Sequence, residues 1–122
     1  MAIIANGDTV CLAIEAAKVL AGKGISARVL DMHTIKPLDV EAVTAAINDI
    51  GKVITVEDHN IINGLGSAVC ELLGEKCPVP VVRHGVNDEF GRSGSAADVL
   101  EYFGLTPQGV AEKAKFALSL KK

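Results

Sequence analysis

The 122-residue sequence contains no tryptophan, one tyrosine and three phenylalanines, and the first aromatic residue is Phe90. Everything before it must pack with aliphatic side chains, and there is no stacking platform for bases or sugar rings. Basic clusters are also missing. Twelve Lys and Arg face fifteen Asp and Glu, the net charge is −3, and the one basic doublet is Lys121–Lys122, which argues against nucleic acid as a partner. No apolar run approaches the ~18 residues of a membrane span, and the first residues lack the basic segment and long apolar stretch of a secretory signal. A cytoplasmic protein with no membrane partner is the expectation. The three cysteines, Cys11, Cys70 and Cys77, are odd in number, form no C-x-x-C and lie in apolar stretches; reduced, buried thiols are expected.

What remains is an ordinary globular balance, 49% apolar and 22% charged, which excludes disorder and coiled coil. A chain of this length hides about two-thirds of the surface it exposes when unfolded. A single domain over residues 1–122 with one core is expected.

Residues 2–5 form a wholly apolar run, followed by Asn6-Gly7-Asp8 and a pattern with Val10, Ala13, Ile14, Ala17 and Ala21 on one face. That reads as a buried strand, a tight turn and a helix. Asp8 or Thr9 can cap this helix, and Gly22 and Gly24 supply left-handed geometry to end it. The unit repeats. Ala27–Met32 is a second strand; Lys36-Pro37 forces extended backbone, Asp39 can cap, and Val40, Val43, Ile47 and Ile50 line a helix closed by Gly51. Lys52–Glu57 is a third strand, Ala68, Val69, Leu72 and Leu73 mark a third helix, and Val79–Val86 is a fourth strand. Apolar strands without alternation, each separated by a helix, define an α/β fold with a parallel sheet covered on both faces, a three-layer α/β/α arrangement. Right-handed crossovers make the strand order 2-1-3-4. Two helices close the chain: one opened by Ser95 with Asp98 and ended at Gly104, and one from Thr106-Pro107 to Leu120.

Ligands of such sheets settle at the carboxyl ends of the strands near the switch in strand order, here the loops at Asn6–Asp8 and between Glu57 and Ser67. Gly64-Leu65-Gly66-Ser67 runs into a helix N-terminus whose free amides favour an anion. These four residues, with His59, are the candidate anion-binding site. The segment begins like a dinucleotide fingerprint but has Val69 where Gly or Ala belongs, so tight strand-to-helix packing is the competing explanation. Asp31, at the end of the second strand, could meet a ribose in a nucleotide-binding reading. Glu57-Asp58-His59 could pair a carboxylate with an imidazole for proton transfer, although a hydrogen-bonded loop explains it equally. His33, His59 and His84 all fall near strand ends, yet they share no helical spacing, and no metal site is assigned. No nucleophile elbow or P-loop occurs.

Three segments together resemble the C-terminal domain of transketolase: Thr34-Ile35-Lys36-Pro37-Leu38-Asp39, Val56 through Val69 with its Glu57-Asp58-His59 and Gly64-Leu65-Gly66-Ser67, and Phe90-Gly91-Arg92-Ser93-Gly94. The tail from Tyr102-Phe103-Gly104-Leu105-Thr106 to Ala114-Lys115 is similar to the closing helices of that domain. The resemblance implies a part of an enzyme that moves a two-carbon ketol unit between sugar phosphates with thiamine diphosphate and Mg2+. In that family the cofactor lies between two other domains, neither of which is represented here, and the metal motif begins Gly-Asp-Gly where this chain has Asn6-Gly7-Asp8. The expectation is therefore no catalytic residue and no cofactor in this domain, with thiamine diphosphate and Mg2+ in the parent enzyme. Partners would be the remaining domains or subunit and a second copy in a dimer. The family domain usually opens with a further antiparallel strand, so a trimmed or natural fragment of a longer chain is expected. Asn63 stands where the family commonly has glycine. The alternative reading is a small anion- or phosphate-binding regulatory module.

Overall fold

A computed structural model of the chain describes residues 1–7, 9–32, 40–47, 52–60, 64–76, 79–86 and 104–120. The elements alternate as the apolar pattern requires: β1 (Ala2–Ala5), α1 (Thr9–Ala21), β2 (Arg28–Asp31), α2 (Val40–Ile47), β3 (Val53–Asn60), α3 (Leu65–Lys76), β4 (Val81–Val86) and α4 (Pro107–Ser119). All strand pairs are parallel and the order is β2-β1-β3-β4. Ile3 pairs with Val29 on one side and Ile54 on the other, which centres β1 in the sheet.

Alternation along each strand divides the core between two faces. Ile3, Ala5, Ile54, Val56 and Val82 pack with Ala13, Ala16 and Leu20 of α1 and with Val110, Ala111, Ala114 and Ala117 of α4. Ile4 and Val53 face the other way, joining Met32, Val43 of α2, and Leu65, Val69 and Leu73 of α3. Both faces are thus covered, which is why β1 is wholly apolar and Thr55 is the one polar residue among the first four of β3.

Several boundaries differ from the sequence reading. β2 and β4 are shorter than expected, and β3 continues past Glu57 through Asp58, His59 and Asn60, its pairing with β4 becoming irregular between Val56 and Asn60. The buried face of α1 is Thr9, Ala13, Ala16 and Leu20, not the stripe through Ile14 and Ala21, and Ile14 is exposed. This helix is apolar nearly all round, so periodicity alone could not choose its face. At its end the Gly24 amide bonds the Ala21 carbonyl and the Ile25 amide bonds that of Leu20. Gly24 (φ +79°) is the left-handed residue of this Schellman closure; Gly22 has no positive φ, so only one of the two expected glycines supplies left-handed geometry. Cys11 is exposed and Cys70 half-buried, and neither forms a disulfide. The expectation of buried thiols fails at Cys11, because α1 turns that residue outward. Thr106 caps α4, accepting the Gly109 amide at 3.0 Å, with Pro107 in the first turn as expected. Cys77, the segments 33–39 and 48–51, and the helix expected after Ser95 lie outside the described residues.

Candidate functional site

In a parallel sheet of this order the crevice for a ligand opens between β1 and β3, at their carboxyl ends. On the β1 side the chain turns through Asn6 and Gly7 (φ +57°) into α1. Thr9, buried at the first position of the helix, sets its hydroxyl 2.6 Å from the Asn6 carbonyl and 2.9 Å from that of Val56 on β3. Asn6 also accepts the Thr9 amide at 3.2 Å. The Thr9 side chain therefore laces β1, β3 and α1 together where the crevice would open.

The β3 side is closed by Glu57, which is fully buried. Its Oε1 accepts the Leu65 amide at 2.9 Å and its Oε2 the Gly66 amide at 2.8 Å. Those amides are two of the four that an α-helix leaves without internal partners, and they carry the positive end of its dipole. A carboxylate taking both forms charge-assisted bonds of about 1.5–3 kcal/mol each. Glu57 thus serves α3, eight and nine positions further along. The amides expected to meet an external anion are thus engaged internally, and an added anion would compete with Glu57. Ser67, half-buried, follows in the same turn; Gly64 precedes it and accepts the Ala68 amide. His59 lies on β3, and its side chain is outside the described residues, as are Asn63 and His33.

Gly66 is needed for contact, as the packing explanation holds. A Cβ there would stand 2.8 Å from Thr55 Oγ1 and 2.8 Å from Cγ of Arg83, the residue paired with Thr55 on β4. Burial raises the Cys70 thiol above its ordinary pKa while the positive charge of Arg83 opposes the shift. This thiol is not activated.

His84 belongs to the other face. It is buried on β4, and because a carbonyl can only accept, its Nε2–H donates to the Gly104 carbonyl at 2.7 Å. Burial holds its pKa below the ordinary 6.5, the Gly104 bond pulls it back up, and Lys113 lowers it. The fold therefore prefers the neutral ring while the unfolded chain binds a proton more readily. The stabilisation from the neutral ring is complete above pH 6.5 and is lost as pH falls below it. We expect the urea midpoint to drop between about pH 7.5 and 5.5 by more in the parent than in His84→Gln; equal pH slopes would contradict the assignment. Among the described residues, no three His, Cys, Asp or Glu side chains gather in a way that could hold a metal ion, and no helix is long and apolar enough to cross a membrane.

Of the buried polar side chains among the described residues, Thr9, Glu57 and His84 are each hydrogen-bonded to main chain, whereas Thr55 Oγ1 has no partner. The described residues do not fit thiamine diphosphate: the diphosphate would need free helix amides or a glycine cradle, and the metal a ligand cluster.

A parallel 2-1-3-4 sheet between two helical layers defines a doubly wound α/β domain. The family model of the transketolase C-terminal domain matches residues 1–110, and the chain belongs to that family. It is 48% identical over 112 residues to the 6-deoxy-6-sulfo-D-fructose transketolase subunit of Clostridium sp. (strain MSTE9), covering 92% of this chain and 35% of that protein. It is 45% identical over 114 residues to a subunit of the apulose-4-phosphate transketolase of Phocaeicola vulgatus, covering 93% and 36%. A solved structure of a split-gene transketolase, described as an inactive beta4 tetramer, superposes with a TM-score of 0.94 at 46% identity, over 99% of this chain and 40% of that one. The chain thus spans little more than a third of the length of these curated relatives. The family resemblance read from the motifs and the strand order both hold.

Proposed function

We propose that this chain is the non-catalytic C-terminal part of a thiamine-diphosphate-dependent transketolase-type enzyme, acting in the cytoplasm, packed against the remaining domains or subunit and against a second copy. The observation that supports it is the filled crevice: Thr9 and Glu57 occupy the positions at which a doubly wound sheet binds its ligand. The parent enzyme transfers a two-carbon ketol unit between sugar phosphates, with thiamine diphosphate and Mg2+ held by other domains. Pentose phosphates are one substrate class; the names of the two relatives, which refer to a sulfosugar and to apulose 4-phosphate, widen it to ketoses with an anionic end. Their designation as subunits supports a separate partner chain.

Calorimetry tests this. The chain alone should give no heat with thiamine diphosphate and Mg2+, and ketol transfer should appear only when partner chains carrying the other domains are added. Micromolar cofactor binding by the isolated chain, or no association with any such partner, would contradict the proposal. A free-standing anion module at Gly64, Leu65, Gly66 and Ser67 is not favoured, because Glu57 already holds two of the amides.

A further inference from the structure

The first turn of α3 carries two donors that are engaged and a third beside them that is not. Glu57 reaches the Leu65 and Gly66 amides from β3 at 2.9 and 2.8 Å. Thr55 lies two residues earlier, on the same face of the strand. It is completely buried, and its Oγ1 has no hydrogen-bond partner among the described residues. That oxygen stands 2.8 Å from where a Cβ on Gly66 would be, directly against the turn. A buried hydroxyl without a partner is uncommon and costly. Cγ and Cδ of Arg83 lie 2.8 and 2.9 Å from that same position, and the charge of that residue is felt at Cys70, one turn along α3. Two amides, a hydroxyl and a positive field therefore meet at one turn, packed so closely about Gly66 that no side chain fits there.

We infer that this turn, with Thr55, is a receptor for a small planar carboxylate whose resident ligand is Glu57, and that it takes an external carboxylate of formate size when that side chain is withdrawn. The tether explains the idle hydroxyl. Two methylenes hold the Glu57 carboxylate on the amides and out of bonding distance of Thr55, whereas an untethered carboxylate can take all three donors. Complete burial selects against a larger, tetrahedral anion such as phosphate.

The experiment uses the Glu57→Ala chain titrated with formate and, at equal ionic strength, with chloride. Formate is expected to shift the Leu65 and Gly66 amide resonances saturably and to raise the urea midpoint as a ligand of the folded state does. Three heavy atoms limit the affinity to the millimolar range or weaker. Adding Thr55→Val should weaken it several-fold, the loss of one hydrogen bond, and the parent chain should show no saturable shift. Equal responses to formate and chloride, affinity unchanged by Thr55→Val, or saturable binding by the parent would overturn the inference. Where Glu57→Ala does not fold in buffer, refolding in formate but not chloride supports it, and refolding in neither overturns it.

Discussion

Gly109→Ala is expected to destabilise the fold by about 2–4 kcal/mol, although alanine is the better helix former by about 1 kcal/mol. The sign follows from what the new methyl meets. Gly109 sits in the first turn of α4, its amide held by Thr106, and a Cβ there would drive into the carbonyl of Gly104, with the Gly104 carbonyl carbon at 2.8 Å and its Cα at 3.2 Å. These are main-chain atoms, so no side chain can swing aside. Nor can the segment easily retreat: Gly104 has φ +73°, and its carbonyl is pinned by His84 Nε2. Chemical denaturation checks the result; a midpoint unchanged or raised would mean that helix propensity outweighs the collision. His84→Gln combined with Gly109→Ala should cost less than the sum of the two, because the first change loosens the carbonyl that the second displaces.

Glu57→Leu should cost about 3 kcal/mol or more, set by two buried amides left without acceptors at roughly 1–3 kcal/mol each. Leucine keeps the volume and removes a buried charge, which offsets part of the loss. Glu57→Gln, which retains one acceptor oxygen, should fall between the parent and Glu57→Leu. Were the leucine variant as stable as the parent, the carboxylate would have no structural role, and the filled-crevice argument for a non-catalytic domain would fail with it. Against a total stability of about 5–15 kcal/mol, either substitution is a large fraction.

Strand order was legible because it needs only the alternation of apolar runs with helices and the handedness of crossovers, both of which survive in the local pattern of residues 2–86. The cap of α4 was legible for the same reason, since Thr106 and Pro107 adjoin the helix they open. The extension of β3 was not. Asp58, His59 and Asn60 are polar residues of low strand preference, and their inclusion in the sheet follows from pairing with β4 up to Asn60↔Val86. Glu57 was visible as one of two acids beside His59, but not as the acceptor for a helix. The amides it accepts are brought back by the turn into α3, eight and nine positions on, and nothing in the local sequence signals them. Thr9 was noticed only as a cap; its bond to Val56, 47 positions away, has no local signal. His84 carried no periodic cue, being one of three histidines at strand ends, and only the packing of the segment before α4 gives it a partner.

The layer formed by α1 and α4 ties the first helix to the last. Val110, Ala111, Ala114 and Ala117 share one cluster with Ile3, Ala13 and Leu20, and the Lys52 ammonium donates to the Leu120 carbonyl. Contacts of such sequence separation form late, because a long stretch of chain must be ordered before they contribute. During synthesis at about 5–20 residues per second, α1 alone covers this face of the sheet until residue 117 has left the ribosome. Commitment of the nascent chain to its fold is thus deferred to the last helix, and the emerging β-strands are the portion that a chaperone would have reason to hold.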